Sequence, residues 1–292
     1  MKVLILGAKG NLGHQLKKIF VHDKDFKLLT WDREEVDLLD LKTLEVIINE
    51  VKPEVIINAA AYNNVDKCEI EAKSWDLAQT LNVQLPKLLA EICHKSEAIL
   101  IHYSSDYVFG QEISRDTPYS ESDQPAPINK YGLSKQQGED EVLKLKANGL
   151  KIYLIRTSKL FGPKGKNPLA KPSFFDIMIE LSEKEEEIKV VDQEVSSFTY
   201  TPDLAEATKN LLEEKYPFGI YHLTNRGQAT WHQGAQELFK ILKKSINLIP
   251  ISGEEFRRPA TRPGYSVLIN TKAKPLPYWK QALAQYLQTK KL

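Results

Sequence analysis

Tyr131 and Lys135, in the run Tyr131-Gly132-Leu133-Ser134-Lys135, stand four residues apart. On a helix that spacing places both side chains on one face. A phenol beside an ammonium suits the reduction of a carbonyl, whose oxygen must receive a proton as the carbon is reduced. A free phenol has a pKa of ~10, too high for efficient proton exchange at neutral pH, so nearby positive charge has to favour the phenolate. Moving it by three units takes roughly 4 kcal/mol of differential interaction. Spacing alone does not identify such a site, because Tyr286 and Lys290 repeat it near the C-terminus. No other reactive group leads up to that second pair, and it reads as structural.

Two other motifs give the first pair its context. Gly7-Ala8-Lys9-Gly10-Asn11-Leu12-Gly13 follows an apolar run and opens a helical one. Glycines there let the backbone turn tightly against a pyrophosphate, and the free N–H groups and dipole of a helix N-terminus stabilise the anion. The spacing is GxxGxxG, and its position between strand and helix makes it a dinucleotide loop rather than a plain turn. Asp32 falls near the ~20-residue offset at which an acid meets the adenosine ribose, which would select NAD(H). Arg33 beside it would instead hold the 2′-phosphate of NADP(H), so either cofactor is open. Asp37 and Leu38 lie where the chain passes an adenine ring, and Ala59, Ala60 and Ala61 are small residues suited to close approach by a ligand. The second motif is Ser104-Ser105-Asp106-Tyr107-Val108-Phe109, about 26 residues before Tyr131, in which a serine hydroxyl can bond a substrate carbonyl. Hydride would leave a nicotinamide for a ketone while Tyr131 protonates the oxygen, Ser105 holds it, and Lys135 tunes Tyr131 and bonds the ribose.

These groups need a frame. Short apolar runs at 2–6, 27–31, 54–58, 98–103 and 151–156 read as buried strands, separated by helical patterns at 12–20, 41–50, 74–94 and 131–147. The alternation predicts an α/β protein with a Rossmann-type, doubly wound parallel sheet, whose ligands bind at the carboxyl ends of the strands. Beyond Gly162 the character changes. Helices are expected at 173–181, 202–215, 231–243 and from Trp279, a strand at 219–224, and a solvated helix end at 184–187. The expected division is a dinucleotide-binding domain of residues 1–160 with about 193–218, and a smaller C-terminal α/β lobe of about 161–192 and 219–292 for the substrate.

The bulk composition excludes other classes. The chain has 292 residues, of which 42% are hydrophobic and 27% charged, and a net charge of +1. That balance provides no general basic face for nucleic acid. No stretch approaches a membrane span, and the apolar start stops at Gly7, too short for a signal-peptide core. Cys68 and Cys93 form no CxxC and no disulfide framework, which fits the cytoplasm. Six scattered histidines offer no metal-ligand pair, so no metal is expected.

Taken together, Gly7 to Gly13, Ser105, Tyr131 and Lys135 resemble the extended short-chain dehydrogenase/reductases. Further runs narrow the resemblance: Asn58-Ala59-Ala60-Ala61-Tyr62 with Val65-Asp66-Lys67-Cys68-Glu69, Ser105 to Phe109, Arg156-Thr157-Ser158, Gly219-Ile220-Tyr221-His222-Leu223-Thr224-Asn225, and Arg262-Pro263 with Tyr265-Ser266-Val267-Leu268. Over essentially the whole chain these are similar to the dTDP-4-dehydrorhamnose reductase family. The resemblance implies NADPH- or NADH-dependent reduction of the 4-keto group of a nucleotide-linked 6-deoxyhexose, most simply a dTDP sugar. It implies catalytic roles for Ser105 (usually threonine in the family), Tyr131 and Lys135, cofactor contacts from Ala59 to Tyr62, and substrate contacts from Asp106 and Tyr107. Arg257 and Arg262 would clamp the diphosphate, unless they belong to a solvated charged loop. A homodimer is compatible with this reading. Lys159 stands where the family usually has tryptophan, and Ser196, Ser197 and Phe198 depart from its Asp-Gln-x-Gly-x-Pro-Thr segment, both on the substrate side. The alternatives are a reductase of another nucleotide 4-keto sugar, and a non-catalytic relative resembling the regulatory β subunit of methionine adenosyltransferase.

Overall fold

The apolar runs pair side by side in the computed structural model, which describes residues 1–167 and 170–290. Strand β1 (Lys2–Leu6) lies between β2 (Lys27–Trp31) and β3 (Val55–Asn58), and β4 (Ile99–Ser105), β5 (Lys151–Thr157) and β9 (Gly219–His222) extend the sheet beyond β3. All six strands are parallel. Successive side chains of a strand face opposite sides, so an apolar strand needs cover on both. Val3 and Ile5 of β1 pack under helices α1 (Asn11–Val21) and α8 (Thr201–Glu213), whereas Leu4 and Leu6 pack under α2 (Leu41–Val51), α5 (Leu85–Ser96) and α6 (Lys130–Lys146). Strand order reverses between β1 and β3, which opens a crevice at their carboxyl ends.

Helix α6 sits unusually close to its neighbours. A methyl group on Gly132 would fall inside the carbonyl oxygen of Tyr107, and one on Gly138 would fall inside that of Asn82. The helix starts at Asn129, whose Oδ1 accepts from Gly132 N at 2.8 Å and whose Nδ2 donates to Thr261 O at 2.9 Å. Glu139, one turn beyond Lys135, accepts two parallel bonds from Arg156 of β5, at 3.0 Å from Nε and 2.7 Å from Nη2. Both side chains are only 1% exposed.

The remaining elements form the smaller lobe. Strand β7 (Glu187–Val191) pairs parallel with β10 (Asn247–Ile251), and β6 (Leu160–Phe161) with β8 (Thr199–Tyr200). Helices α7 (Phe174–Leu181), α9 (Trp231–Leu242) and α10 (Trp279–Thr289) close over Phe161, Phe175, Phe198 and Tyr286. Tyr286 donates to Asp176 Oδ1 at 2.6 Å and Lys290 pairs with the same carboxylate, so this second Tyr/Lys pair staples α10 to the start of α7. No helix among the described residues is long and apolar enough to cross a membrane.

Three expectations change. Residues 184–187 are not a helix end: α7 stops at Leu181, and Glu187 begins β7, whose buried Ile188, Val190 and Val191 follow directly on the charged run. The strand near 219–224 belongs to the large sheet rather than the lobe, because Gly219 to His222 register against Tyr153 to Arg156 of β5. The helical stretch 74–94 is broken: α4 (Ala72–Ala78), preceded by α3 (Val65–Ile70), runs into a π-helical turn, Gln79–Gln84, before α5 begins.

Removing one partner of a buried, bidentate ion pair leaves the other charge uncompensated. Glu139→Ala should therefore lower unfolding free energy by about 3 kcal/mol in urea titrations, and unchanged stability would contradict the role given to this pair.

Candidate active site

Ser105, Tyr131 and Lys135 meet at the carboxyl edge of the sheet. Ser105 is the last residue of β4, and its Oγ accepts from Tyr107 N at 3.1 Å and donates to Asp106 Oδ1 at 3.1 Å. Tyr131, in the first turn of α6, has its ring edge-on to Tyr107, centroids 5.9 Å apart. Desolvation pushes the Tyr131 phenol above its ordinary range, and the nearby Ser105 hydroxyl partly offsets this. The phenol is therefore held neutral, the state a proton donor needs at the outset.

Lys135 is 2% exposed, and its Nζ donates to Tyr103 O at 2.6 Å. Burial lowers this ammonium to about 8, and the Glu139 carboxylate opposes the shift. The expectation sets Lys135 together with the positive nicotinamide of an oxidised cofactor against the high pKa of Tyr131. Among the protein's own groups desolvation dominates the phenol, and the Lys135 ammonium donates to the β4 backbone.

The glycine loop follows β1 as expected. Gly7 has φ +75°, the left-handed region, and a methyl there would lie 2.9 Å from Ala60 N, so the small residues after β3 and the glycine form one close-fitting cradle. Helix α1 begins after Gly10 with no side-chain cap and no acid in its first turn. The N–H groups of Asn11, Leu12 and Gly13 are thus the unpaired first turn of a helix, which suits a pyrophosphate. Asp32 is 6% exposed and accepts from Lys9 N at 2.9 Å, Arg33 N at 2.9 Å and Asn167 Nδ2 at 3.2 Å. Arg33 is exposed, while the Lys9 side chain is drawn to Glu34 and Glu35. Leu38 packs under the sheet and the exposed Asp37 accepts from Leu39 N at 2.9 Å. These residues fit a dinucleotide, with the buried Asp32 and the exposed Arg33 side by side after β2.

The substrate-side residues are more heavily engaged than expected. Asp106 is buried and accepts three serine hydroxyls, from Ser105, Ser158 at 2.7 Å and Ser266 at 2.6 Å. Burial still raises its carboxyl. Arg262 does not stand free as a clamp: it makes a bidentate contact with Asp66, at 2.7 and 2.8 Å. Arg258 pairs with Glu194, and Arg257 is exposed on the loop. Asp106, Arg262, Glu194 and Arg258 nonetheless all act electrostatically on Tyr107, so the charges converge beside Ser105. Lys159 lies with its Nζ 4.0 Å from the centre of the Trp231 ring, so an aromatic face is present beside the position at which the family usually carries one.

Several positioning residues carry no motif. Asn82, fully buried in the π-helical turn, accepts from Tyr62 N and donates to Tyr62 O and Ser134 Oγ, all at 2.9 Å, tying the cofactor edge to α6. Gly165 N donates to Asn11 Oδ1 at 2.8 Å and Asn167 N to Lys9 O at 2.9 Å, which lays the segment after β6 over the glycine loop. The only advance signal for Asn82 is its polarity within an otherwise amphipathic helical run.

The comparisons agree with this geometry. The family model described as the RmlD substrate binding domain matches residues 1–292. A dTDP-4-dehydrorhamnose reductase of Streptomyces griseus is 34% identical over 97% of this chain and 91% of its own. The crystal structure of a dTDP-4-dehydrorhamnose reductase from Clostridium acetobutylicum superposes with a TM-score of 0.89 at 35% identity, covering 99% of both chains. That of the Bacillus anthracis reductase, in complex with NADP, gives 0.89 at 32% identity with the same coverage. With its glycine cradle, its Ser/Tyr/Lys edge and full-length similarity to these proteins, the chain belongs to the dTDP-4-dehydrorhamnose reductase family of extended short-chain dehydrogenase/reductases.

Proposed function

We propose that this protein reduces the 4-keto group of dTDP-4-dehydro-L-rhamnose to give dTDP-L-rhamnose, using NADPH or NADH, in the cytoplasm. The observation that carries the reading is the convergence of Ser105, Tyr131 and Lys135 at the strand edge next to the glycine cradle. The names of the relatives support the sugar, and the NADP in the Bacillus anthracis structure supports the cofactor. Two buried, unpaired cysteines, with thiols raised by burial to about 11 and about 12, suit a reducing compartment.

A bound reduced dinucleotide would supply a hydride, one proton with two electrons, to the ketone carbon. The residues of the chain manage the oxygen. Ser105 donates to the carbonyl once its hydroxyl turns from Asp106, polarising it. As the carbonyl electron pair moves onto oxygen, the neutral Tyr131 phenol gives up its proton there, and solvent restores that proton after product leaves. Lys135 adds positive charge on the same helix face, which favours the transient phenolate. In this reading residues 1–160 with about 201–222 hold the cofactor, and the lobe of about 161–200 and 223–292 holds the nucleotide sugar. Residues 193–200, expected with the cofactor domain, go with the lobe because β8 pairs with β6 and Phe198 packs in the lobe core. Arg262 and Arg258 would exchange their carboxylate partners for the substrate diphosphate.

The test is absorbance of the reduced nicotinamide with dTDP-, UDP- and GDP-linked 4-keto-6-deoxy sugars. Oxidation is expected to be fastest with dTDP-4-dehydro-L-rhamnose. Tight cofactor binding with no oxidation of any sugar would overturn the reductase reading in favour of a regulatory protein. In the same assay Tyr131→Phe should retain cofactor affinity while turnover falls at least ~10²-fold, and undiminished turnover would mean another group supplies the proton.

A further inference from the structure

Lys159 follows the end of β5 in a conformation that side chains seldom adopt, with φ +38°. Such backbone persists where surrounding contacts determine it. Here the Lys159 carbonyl accepts from Thr199 N at 3.2 Å, and the side chain crosses from the large sheet into the lobe. Nζ donates to Glu194 O at 3.0 Å and reaches Ala229 O at 3.5 Å, lying 4.0 Å from the Trp231 ring centre and 5.2 Å from that of Phe198. One ammonium therefore joins the strand end that carries Ser158 to two separate lobe segments, 194–198 and 229–231. Glu194, whose carbonyl it holds, also accepts from Trp231 Nε1 at 3.0 Å and pairs with Arg258. Glu194 and Arg258 also act electrostatically on Tyr107, beside Ser105.

Building on the reductase reading, we propose that Lys159 is a positioning residue for the sugar: its ammonium clasps Glu194 and Ala229 between two aromatic faces and so fixes the Glu194–Trp231 wall beside Tyr107. A neutral amine binds aromatic faces and carbonyls more weakly than an ammonium does. The clasp is therefore sensitive to charge. Burial lowers Lys159 to about 7, opposed by Asp106 and Glu194 and reinforced by Arg258. On α9 the adjoining His232 faces Asp192 instead, at 3.6 Å. The charged clasp prevails below about pH 7 and loosens above it.

The experiment is a pH series of sugar KM, kcat and cofactor Kd on the full chain, with intrinsic tryptophan fluorescence titrated without substrate. The wild-type protein should show sugar KM rising severalfold from pH 6 to 8.5 and a fluorescence step near pH 7. Lys159→Met should raise KM about 10-fold at pH 6, abolish both pH dependences and leave cofactor Kd within about twofold. Lys159→Arg, charged throughout, should keep KM flat with pH. A wild-type protein without the fluorescence step, or an active Lys159→Met enzyme with wild-type KM at every pH, would overturn the proposal. A wild-type protein that turns over no nucleotide-linked sugar would instead overturn the reductase reading on which it rests.

Discussion

The close approach of α6 to the backbone beneath it governs the site. Gly132 lies against the Tyr107 carbonyl and Gly138 against that of Asn82, and no residue with a Cβ could hold the helix there. Between and beyond these two contacts, Tyr131, Lys135 and Glu139 recur every fourth residue along one face. Each meets a different partner: the Ser105–Tyr107 turn, the Tyr103 carbonyl and the Arg156 guanidinium. The helix thus carries a proton donor, a buried cation and an anchoring carboxylate, placed together by two glycines and one buried ion pair. A misplacement of about 1 Å in such a site can cost ~10²-fold in rate, which is why the docking matters more than the presence of the residues.

Charge around the substrate side is arranged as a set of internal partners. Asp106 takes three serine hydroxyls, Arg262 takes Asp66, and Glu194 takes Arg258 and Trp231. Buried ions left unpaired would be costly, so these groups satisfy one another within the protein. On the proposed reading, binding a diphosphate would exchange these partners, a smaller change than burying two arginines afresh.

Much of this was legible in the sequence because the large sheet follows simple rules. Its strands are short apolar runs buried on both faces, and the glycine loop, Ser105 and the Tyr131/Lys135 spacing all sit at the strand ends where ligands bind. What escaped depends on contacts distant in the chain. Strand β7 begins within a charged run, and β10 contains Pro250, tolerable because the strand has a partner on only one side in a two-stranded sheet. The π-helical turn exists to aim Asn82 at Tyr62 and Ser134, 20 residues before it and 52 after. Arg262 reads from sequence as one arm of a diphosphate clamp, and only the fold places Asp66 beside it. Local periodicity carries no information about any of these pairings.

The most direct test of the central claim is the single-turnover rate of nicotinamide oxidation in Gly138→Ala. This residue faces Asn82, about two helical turns from Tyr131, and belongs to neither the glycine loop nor the Ser105 edge. The folded variant should bind cofactor normally yet reduce bound 4-keto sugar at least ~10-fold more slowly, because the added methyl displaces α6 and its phenol. A folded Gly138→Ala protein with the wild-type single-turnover rate would contradict it.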